Sequence, residues 1–211
     1  MAPGTARLLA LALVADPEPV SDAHSDGILD AALAVAGASG IRHLTMDDVA
    51  RRAGVSRMTV YRRFGGKDAL VDALAVRECR RCLAQIAASI DPTATIDVRL
   101  AALAAATLRL IREHPLLARL ARFEPEDLLL ELTRDDSSVF RLVTEFLMAQ
   151  IEPAQESGEL VRGDPALLAE MAVRLGASFV LMPDSALPLG DEAATRRALR
   201  SLIAPFVRRA P

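Results

Sequence analysis

Apolar residues recur at three- and four-residue steps along most of this chain, and that rhythm predicts helices. Ile28, Leu29, Ala32, Leu33 and Ala36 share one face of a first helix over Asp26–Ala38, which Gly40 stops. Two short helices follow between Thr45 and Phe64. Gly65-Gly66 break the chain, and Lys67-Asp68 opens a long helix to Ile90 with Leu70, Leu74, Cys82, Leu83, Ile86 and Ile90 as its inner stripe. Asp91-Pro92 ends it, because the residue before a proline is pushed out of the helical region. An Ala- and Leu-rich helix covers Ile96–His114, and a short one covers Pro115–Arg122. Pro125-Glu126-Asp127 places Pro and acids at a new helix start. That pattern weakens at Thr133–Asp136 and resumes at Val139, with Pro153 expected to kink the helix and Gly158 to end it. Asp164-Pro165 starts a helix that ends before Pro183, and Asp191 starts a last one to about Val207. The expectation is an all-α protein of about nine helices, without alternating β-branched runs or internal repeats.

The most informative stretch is TMDDVARRAGVSRMTVYRRFGGK, Thr45 to Lys67. Thr45 is placed to cap one helix, with Asp48 reaching back to the cap residue. Gly54 suits a tight turn that needs positive φ. Ser56 is placed to cap a second helix running to Phe64. Ala50 allows a close crossing and Val60 fills the space beneath, so the stretch reads as a helix-turn-helix. The second helix offers Arg57, Met58, Thr59, Tyr61, Arg62 and Arg63 to solvent and contains no acid, as suits an element facing phosphates.

Net charge, −3 over 211 residues, does not by itself suggest a nucleic-acid binder. Its distribution does. Ile41 to Lys67 holds seven Lys/Arg against two Asp, while the rest of the chain holds 18 Lys/Arg against 26 Asp/Glu. A basic module on an acidic body is expected when one end touches phosphate. Apolar residues make up 52% and aromatics 3%, with no Trp, so the core must be Leu, Ala and Val. Lys67 is the single lysine.

Cys79 and Cys82 form Cys-Arg-Arg-Cys inside a helical pattern, not after a strand as a thioredoxin-like site requires. Two cysteines give no disulfide framework, which implies a reducing cytoplasm. They share a helix face, and a thiol or metal sensor is the alternative they raise, although two thiolates make half a zinc site. No run of about 18 apolar residues predicts a membrane span. Leu8 to Ala15 superficially resembles a signal-peptide core, but its basic flank is weak. Residues 1–24 are therefore read as an N-terminal arm or linker, 25–68 as a DNA-binding head and 69–211 as a body. No nucleotide loop, His-Glu-x-x-His or Gly-x-Ser-x-Gly occurs, and His24, His43 and His114 are scattered, with Glu113-His114 expected at the surface. No catalytic residue, metal ligand or cofactor is assigned.

Ile28 to Leu70 resembles the head of the TetR family of bacterial repressors. The resemblance rests on Ile28-Leu29, Ala32, Gly40, Thr45, Val49-Ala50, Ala53-Gly54-Val55-Ser56, Thr59, Tyr61, Phe64 and Lys67-Asp68-x-Leu70. Arg174 to Asp191 is similar to the segment before the last helix in some actinobacterial members. Two departures stand out: the family usually carries an aromatic where Ala36 stands and often one where Ile41 stands, which implies a lightly packed head, and Met58 stands where a small residue is common, which implies an unusual base preference.

The resemblance implies a homodimer on a palindromic double-stranded operator, a small-molecule inducer in the body, and a four-helix bundle formed by the last two helices and their mates. In such a head the recognition helix enters the major groove. Arg57 suits a guanine edge, and Met58 and Thr59 suit a thymine methyl. Tyr61, Arg62, Lys67, Thr45 and the cap Ser56 suit the backbone, and Arg51, Arg52 and Arg63 are either DNA contacts or solvated charges. The expected inducer pocket is apolar, with Leu83, Ile86, Leu103, Thr107, Phe123, Phe140, Met171, Arg174 and Ser178 as candidate lining. Arg174 stands out because an arginine in an apolar helix needs a partner. A head that has lost DNA binding is a further alternative, against which its basic face argues.

Overall fold

The computed structural model describes residues 23–123, 125–126, 138–182 and 184–207. Among them are nine α-helices: α1 Ala23–Ser39, α2 Met46–Ala53, α3 Arg57–Phe64, α4 Lys67–Ala88, α5 Ile96–Glu113, α6 Pro115–Phe123, α7 Ser138–Glu156, α8 Pro165–Leu181 and α9 Glu192–Ile203. The extended pairing among the described residues is an isolated antiparallel bridge between Leu160 and Val207. The architecture is all-α. The expected arm and most of the acidic start near Asp127 lie outside the described residues.

The chain divides into two compact units. One comprises residues 16–79 and 114–139, and so holds α1, α2, α3, the first part of α4, and α6. Its core gathers Ile28, Ala32 and Ala36 of α1, Val49 and Ala50 of α2, Val60 of α3, Leu70 and Leu74 of α4, and Leu116 and Leu120 of α6. Ala32, Ala36, Val49 and Val60 are fully enclosed. Small side chains at these crossings let helix axes approach closely: a Cβ on Gly37 would stand 3.6 Å from the Pro115 Cβ. Ala36 is thus buried beneath neighbouring helices rather than leaving the head open.

The turn from α2 to α3 is fixed by backbone geometry. Gly54 sits at φ 69°, the Val55 N–H donates to the Ala50 carbonyl at 3.0 Å, and the Gly54 N–H donates to the Arg51 carbonyl at 3.4 Å. Together they close the end of α2 and satisfy carbonyls that would otherwise face nothing. Val55 then packs against the core.

A charged network ties α1 to α4 in this unit. The Arg77 guanidinium, 10% exposed, lies 2.9 Å from Asp30 and 2.7 Å from Glu78, and donates to the Asp26 carbonyl at 3.1 Å. Glu78, 9% exposed, lies 3.3 Å from His114 Nε2. His114 Nδ1 lies 3.4 Å from the Leu117 N–H, which orients the ring with Nε2 toward Glu78. This corrects the expectation of a surface Glu113-His114. The chain turns between α5 and α6, so His114 is tucked inward while Glu113 stays exposed and pairs with Arg109.

The other unit comprises 80–113 and 140–211 with the described parts of α4, α5 and α7 to α9. Ile96, Ile151, Ala154, Leu160 and Ala169 form one cluster. Ala101, Ala105 and Leu108 of α5 meet Leu199 of α9 in another. Pro153 lies within α7, which continues to Glu156 before Gly158 turns at φ 77°. Two boundaries differ from the sequence reading by three residues or more. Residues 23–25, ahead of the helix start expected near Asp26, begin α1, where the Ser25 hydroxyl accepts from Arg63 Nε. The last helix stops at Ile203 instead of Val207, and Ala204–Phe206 form a 3₁₀ turn. Pro205 explains this, since its ring in a continued α-helix would meet the carbonyl four residues earlier.

A Cβ added at Gly54 would meet nothing within 4 Å, so substitution there costs backbone strain alone. Gly54→Ala should destabilise the protein by about 1–2 kcal/mol in urea unfolding. Gly54→Asn should cost less despite its larger side chain, because asparagine tolerates the left-handed region. The reverse order would show that space, not φ, governs the turn.

Candidate nucleic-acid interface

The interface is built by two capped helices. Thr45 caps α2: its Oγ1 accepts from the Asp48 N–H at 3.1 Å and donates to Asp48 Oδ2 at 2.6 Å. Asp48 therefore reaches back to the cap residue, as the sequence pattern suggested, and does so at its hydroxyl. Ser56 caps α3: its Oγ accepts from the Thr59 N–H at 3.1 Å and lies 2.8 Å from the Thr59 hydroxyl. Each cap stabilises its helix by about 1 kcal/mol and fixes where the helix begins. Val60 and part of Phe64 anchor α3 in the core. With that face buried, α3 must turn the rest outward.

The outward face carries the expected residues. Met58 is 74% exposed and Tyr61 37%, and Arg57, Arg62 and Arg63 are exposed as well. Thr59 is half-buried beside its cap. Arg57 is held from two sides. Its NH1 lies 3.2 Å from Asp47 Oδ2 on α2, and its guanidinium stands 5.3 Å from the centre of the Tyr61 ring. The adjacent Tyr61 side chain, followed by the Asp47 charge, raises its pKa further and keeps it cationic.

The other cations differ in their ties. Lys67 Nζ donates to the Arg42 carbonyl at 2.8 Å, which leaves further ammonium protons for another acceptor. Arg51 pairs with Asp48 at 2.6 Å, and Arg42 pairs with Glu126 at 3.0 Å. Arg52 and Arg62 have no partner among the described residues. Exposed pairs of this kind contribute little and exchange readily. The surface is a row of cations around an acid-free helix, able to accept a polyanion without first desolvating a buried charge.

Sequence reasoning missed Asp47, which looked like one of two interchangeable acids at a helix start. Its signal was its ten-residue separation from Arg57 across a predicted tight turn, and that pairing needs the turn geometry to become visible.

The candidate ligand residues are distributed differently. Leu83 and Ile86 are buried on α4, and Leu103 and Thr107 are half-buried on α5, where the Thr107 hydroxyl donates to the Leu103 carbonyl at 2.9 Å. Phe140 on α7 is half-buried, and its carbonyl accepts from the Thr144 hydroxyl at 2.8 Å. Phe123 is 62% exposed and belongs to the unit that holds the head, beside Arg119 and Arg122. Met171 is 60% exposed on α8. Arg174, 71% exposed, finds its partner one turn back, 2.7 Å from Glu170. Ser178, half-buried, donates to the Leu175 carbonyl at 2.6 Å. Met171 and Arg174 thus face outward from their unit in this single chain.

Cys79 is half-buried and Cys82 buried, and neither forms a disulfide among the described residues. Among the described residues no group of three or more His, Cys, Asp or Glu is placed to hold a metal ion. No described helix is long and apolar enough to cross a membrane.

Comparison with known proteins bears on the same surface. A family model described as bacterial regulatory proteins of the tetR family matches residues 28–74, the region that forms α1 to α3 and the start of α4. The HTH-type transcriptional regulator AlkX of Mycobacterium tuberculosis (strain H37Rv) is 28% identical over 188 residues, spanning 87% of this chain and 85% of that protein. The crystal structure of the TetR family repressor AlkX from Dietzia sp. strain DQ12-45-1b, implicated in biodegradation of n-alkanes, is 27% identical. It superposes with a TM-score of 0.61 over 86% of this chain and 94% of that one. The fatty acid degradation regulator FadR from Bacillus halodurans, 21% identical, shares the fold at a TM-score of 0.66 over 87% of this chain and 95% of that one.

The Thr45 hydroxyl bond, reinforced by the nearby Arg51 charge and opposed by slight desolvation, holds the Asp48 carboxyl below its ordinary pKa. A depressed carboxyl contributes stability above its unfolded value and loses it as pH falls through the folded value. In Thr45→Val the Asp48 titration, followed by NMR, should move up toward the ordinary carboxylate range while Arg51 still holds it somewhat down. The pH-dependent part of the wild-type stability advantage should be complete near pH 6 and fade below about pH 4. An unmoved Asp48 titration would refute this account.

Proposed function

This chain belongs to the TetR family of bacterial regulatory proteins, and we propose that it is a ligand-responsive repressor that reads a palindromic operator as a homodimer. It is a DNA-binding transcriptional regulator by family; the operator, the pairing and the inducer are the proposal. The observation that carries it is α3, an acid-free helix whose Arg57, Met58, Tyr61 and Arg62 face solvent while Val60 is locked in the core.

The division of labour on DNA follows from side-chain chemistry. Arg57 addresses a guanine edge, and Met58 and Thr59 address methyl groups. Tyr61, Arg62 and Lys67 address phosphates, and Ser56 and Thr45 hold the helix starts against the backbone. Phosphate contacts set register and salt dependence; base contacts set sequence.

Pairing is supported by α8. Leu167, Met171 and Leu175 recur at four-residue steps and are 54%, 60% and 61% exposed, and Leu202 on α9 is 59% exposed. An apolar stripe of this kind is what a protein–protein contact covers. A second copy of this chain would bury it, with the Glu170–Arg174 pair beside it.

The inducer is proposed to be small and apolar, held in the body unit by side chains from Leu83, Ile86, Leu103, Thr107 and Phe140. The n-alkane context of the Dietzia relative supports an apolar ligand class. Binding would favour a head spacing that no longer fits half-sites one turn apart, by as much as its affinity differs between the two states. This assigns the protein to the cytoplasm, where its DNA is.

Selection of random duplexes by the purified protein across a salt series tests the central claim. A recovered palindrome whose affinity falls steeply with salt is the expected result; absence of any preferred sequence would overturn it. On that operator Lys67→Ala should weaken all duplexes alike and flatten the salt slope by about one unit. Leu175→Glu should sediment as a monomer and lose operator affinity by about 100-fold, since two linked heads bind far more tightly than one. A Leu175→Glu protein that remains dimeric would remove α8 from the pairing face.

A further inference from the structure

We propose that Asp47 is a positioning residue for sequence reading, holding the Arg57 guanidinium along the face of α3 until a cognate base displaces the carboxylate. The proposal rests on the DNA-reading function above.

Arg57 is the first residue of α3, where an unrestrained arginine would sweep a wide arc and meet any phosphate within reach. It is instead held at two points. Asp47 Oδ2, in the first turn of α2, lies 3.2 Å from NH1, and the Tyr61 ring one turn along α3 lies 5.3 Å from the guanidinium carbon. Two fixed points leave the planar fork few orientations. Asp47 and Arg57 side chains are 58% and 59% exposed, so the pair forms and breaks in water at little cost.

The chemistry of Asp47 is otherwise out of place. It is one of two acids between Ile41 and Lys67, on the side that must approach a polyanion. The other, Asp48, is engaged by Thr45 and Arg51 in closing α2. Asp47 supplies no cap hydrogen bond, and its ion pair among the described residues is with Arg57. A carboxylate there repels phosphate generally. What it gives in return is orientation: the planar guanine edge rewards one pose of the fork with two coplanar acceptors, whereas a tetrahedral phosphate accepts from many poses, so restraining the fork costs phosphate contacts more. Non-cognate DNA is thereby disfavoured more than cognate DNA.

The test uses the full-length protein, its selected operator and the operator variant changed at the base pair whose preference Arg57→Ala relaxes. Asp47→Asn should tighten binding to random duplex about 3- to 10-fold, steepen the salt slope by about one unit, and lower discrimination between operator and variant by at least about threefold. Asp47→Glu should restore most of that discrimination. In an Arg57→Ala background, Asp47→Asn should leave discrimination unchanged. Asp48→Asn, which removes the same charge next door, should also leave it unchanged. Equal tightening on every duplex, or a discrimination change that persists without Arg57, would overturn the proposal and reduce Asp47 to general charge. A wild-type protein with no preferred duplex would overturn the DNA-reading itself, and this proposal with it.

Discussion

The packing of α1 on α2, and of α2 on α3, sets the position of the side chains that α3 turns outward. Ala32, Ala36, Val49 and Val60 are enclosed there, and none is large. Interiors of this kind are close-packed, so a helix seated on small side chains has few alternative registers. α3 is eight residues long, too short to be stable alone in water, and borrows its order from Val60, Phe64 and its two end caps. The exposed half of α3 is therefore aimed by its own buried half, seated on α2 in the core that α1 closes.

Arg77 extends that constraint to α4. A nearly buried guanidinium shared by Asp30, Glu78 and the Asp26 carbonyl is costly to separate from its partners, because a charge left inside without them loses hydration and attraction together. α1 and the first part of α4 are thus held more firmly than apolar contact alone would require. Glu78 carries the same network to His114 at the start of α6. The polar groups that are buried in this unit bridge helices rather than decorate them.

Much of the head was legible because its signals are local. Thr45, Gly54, Ser56 and Gly65 each dictate a backbone event within four residues, and the structure places each event where the sequence pointed. The body was less legible for a physical reason. Its helices are rich in Ala and Leu on several faces, so periodicity identifies a helix without identifying which face is inward; Met171 and Arg174 read as pocket residues and lie on the outer side of α8. Pairings between distant residues were invisible for the same reason. Asp47–Arg57 and Glu78–His114 depend on a turn and a corner that no local pattern encodes. Pro205 was legible as a breaker and should have shortened the last helix.

The amine that Lys67 directs at the Arg42 carbonyl is the single lysine ε-amine in 211 residues. Acyl-transfer chemistry, whether from a metabolic thioester or a laboratory reagent, therefore finds one lysine side chain, and finds it on the basic face of the head. Acylation there removes a positive charge where phosphate would bind and leaves every arginine untouched.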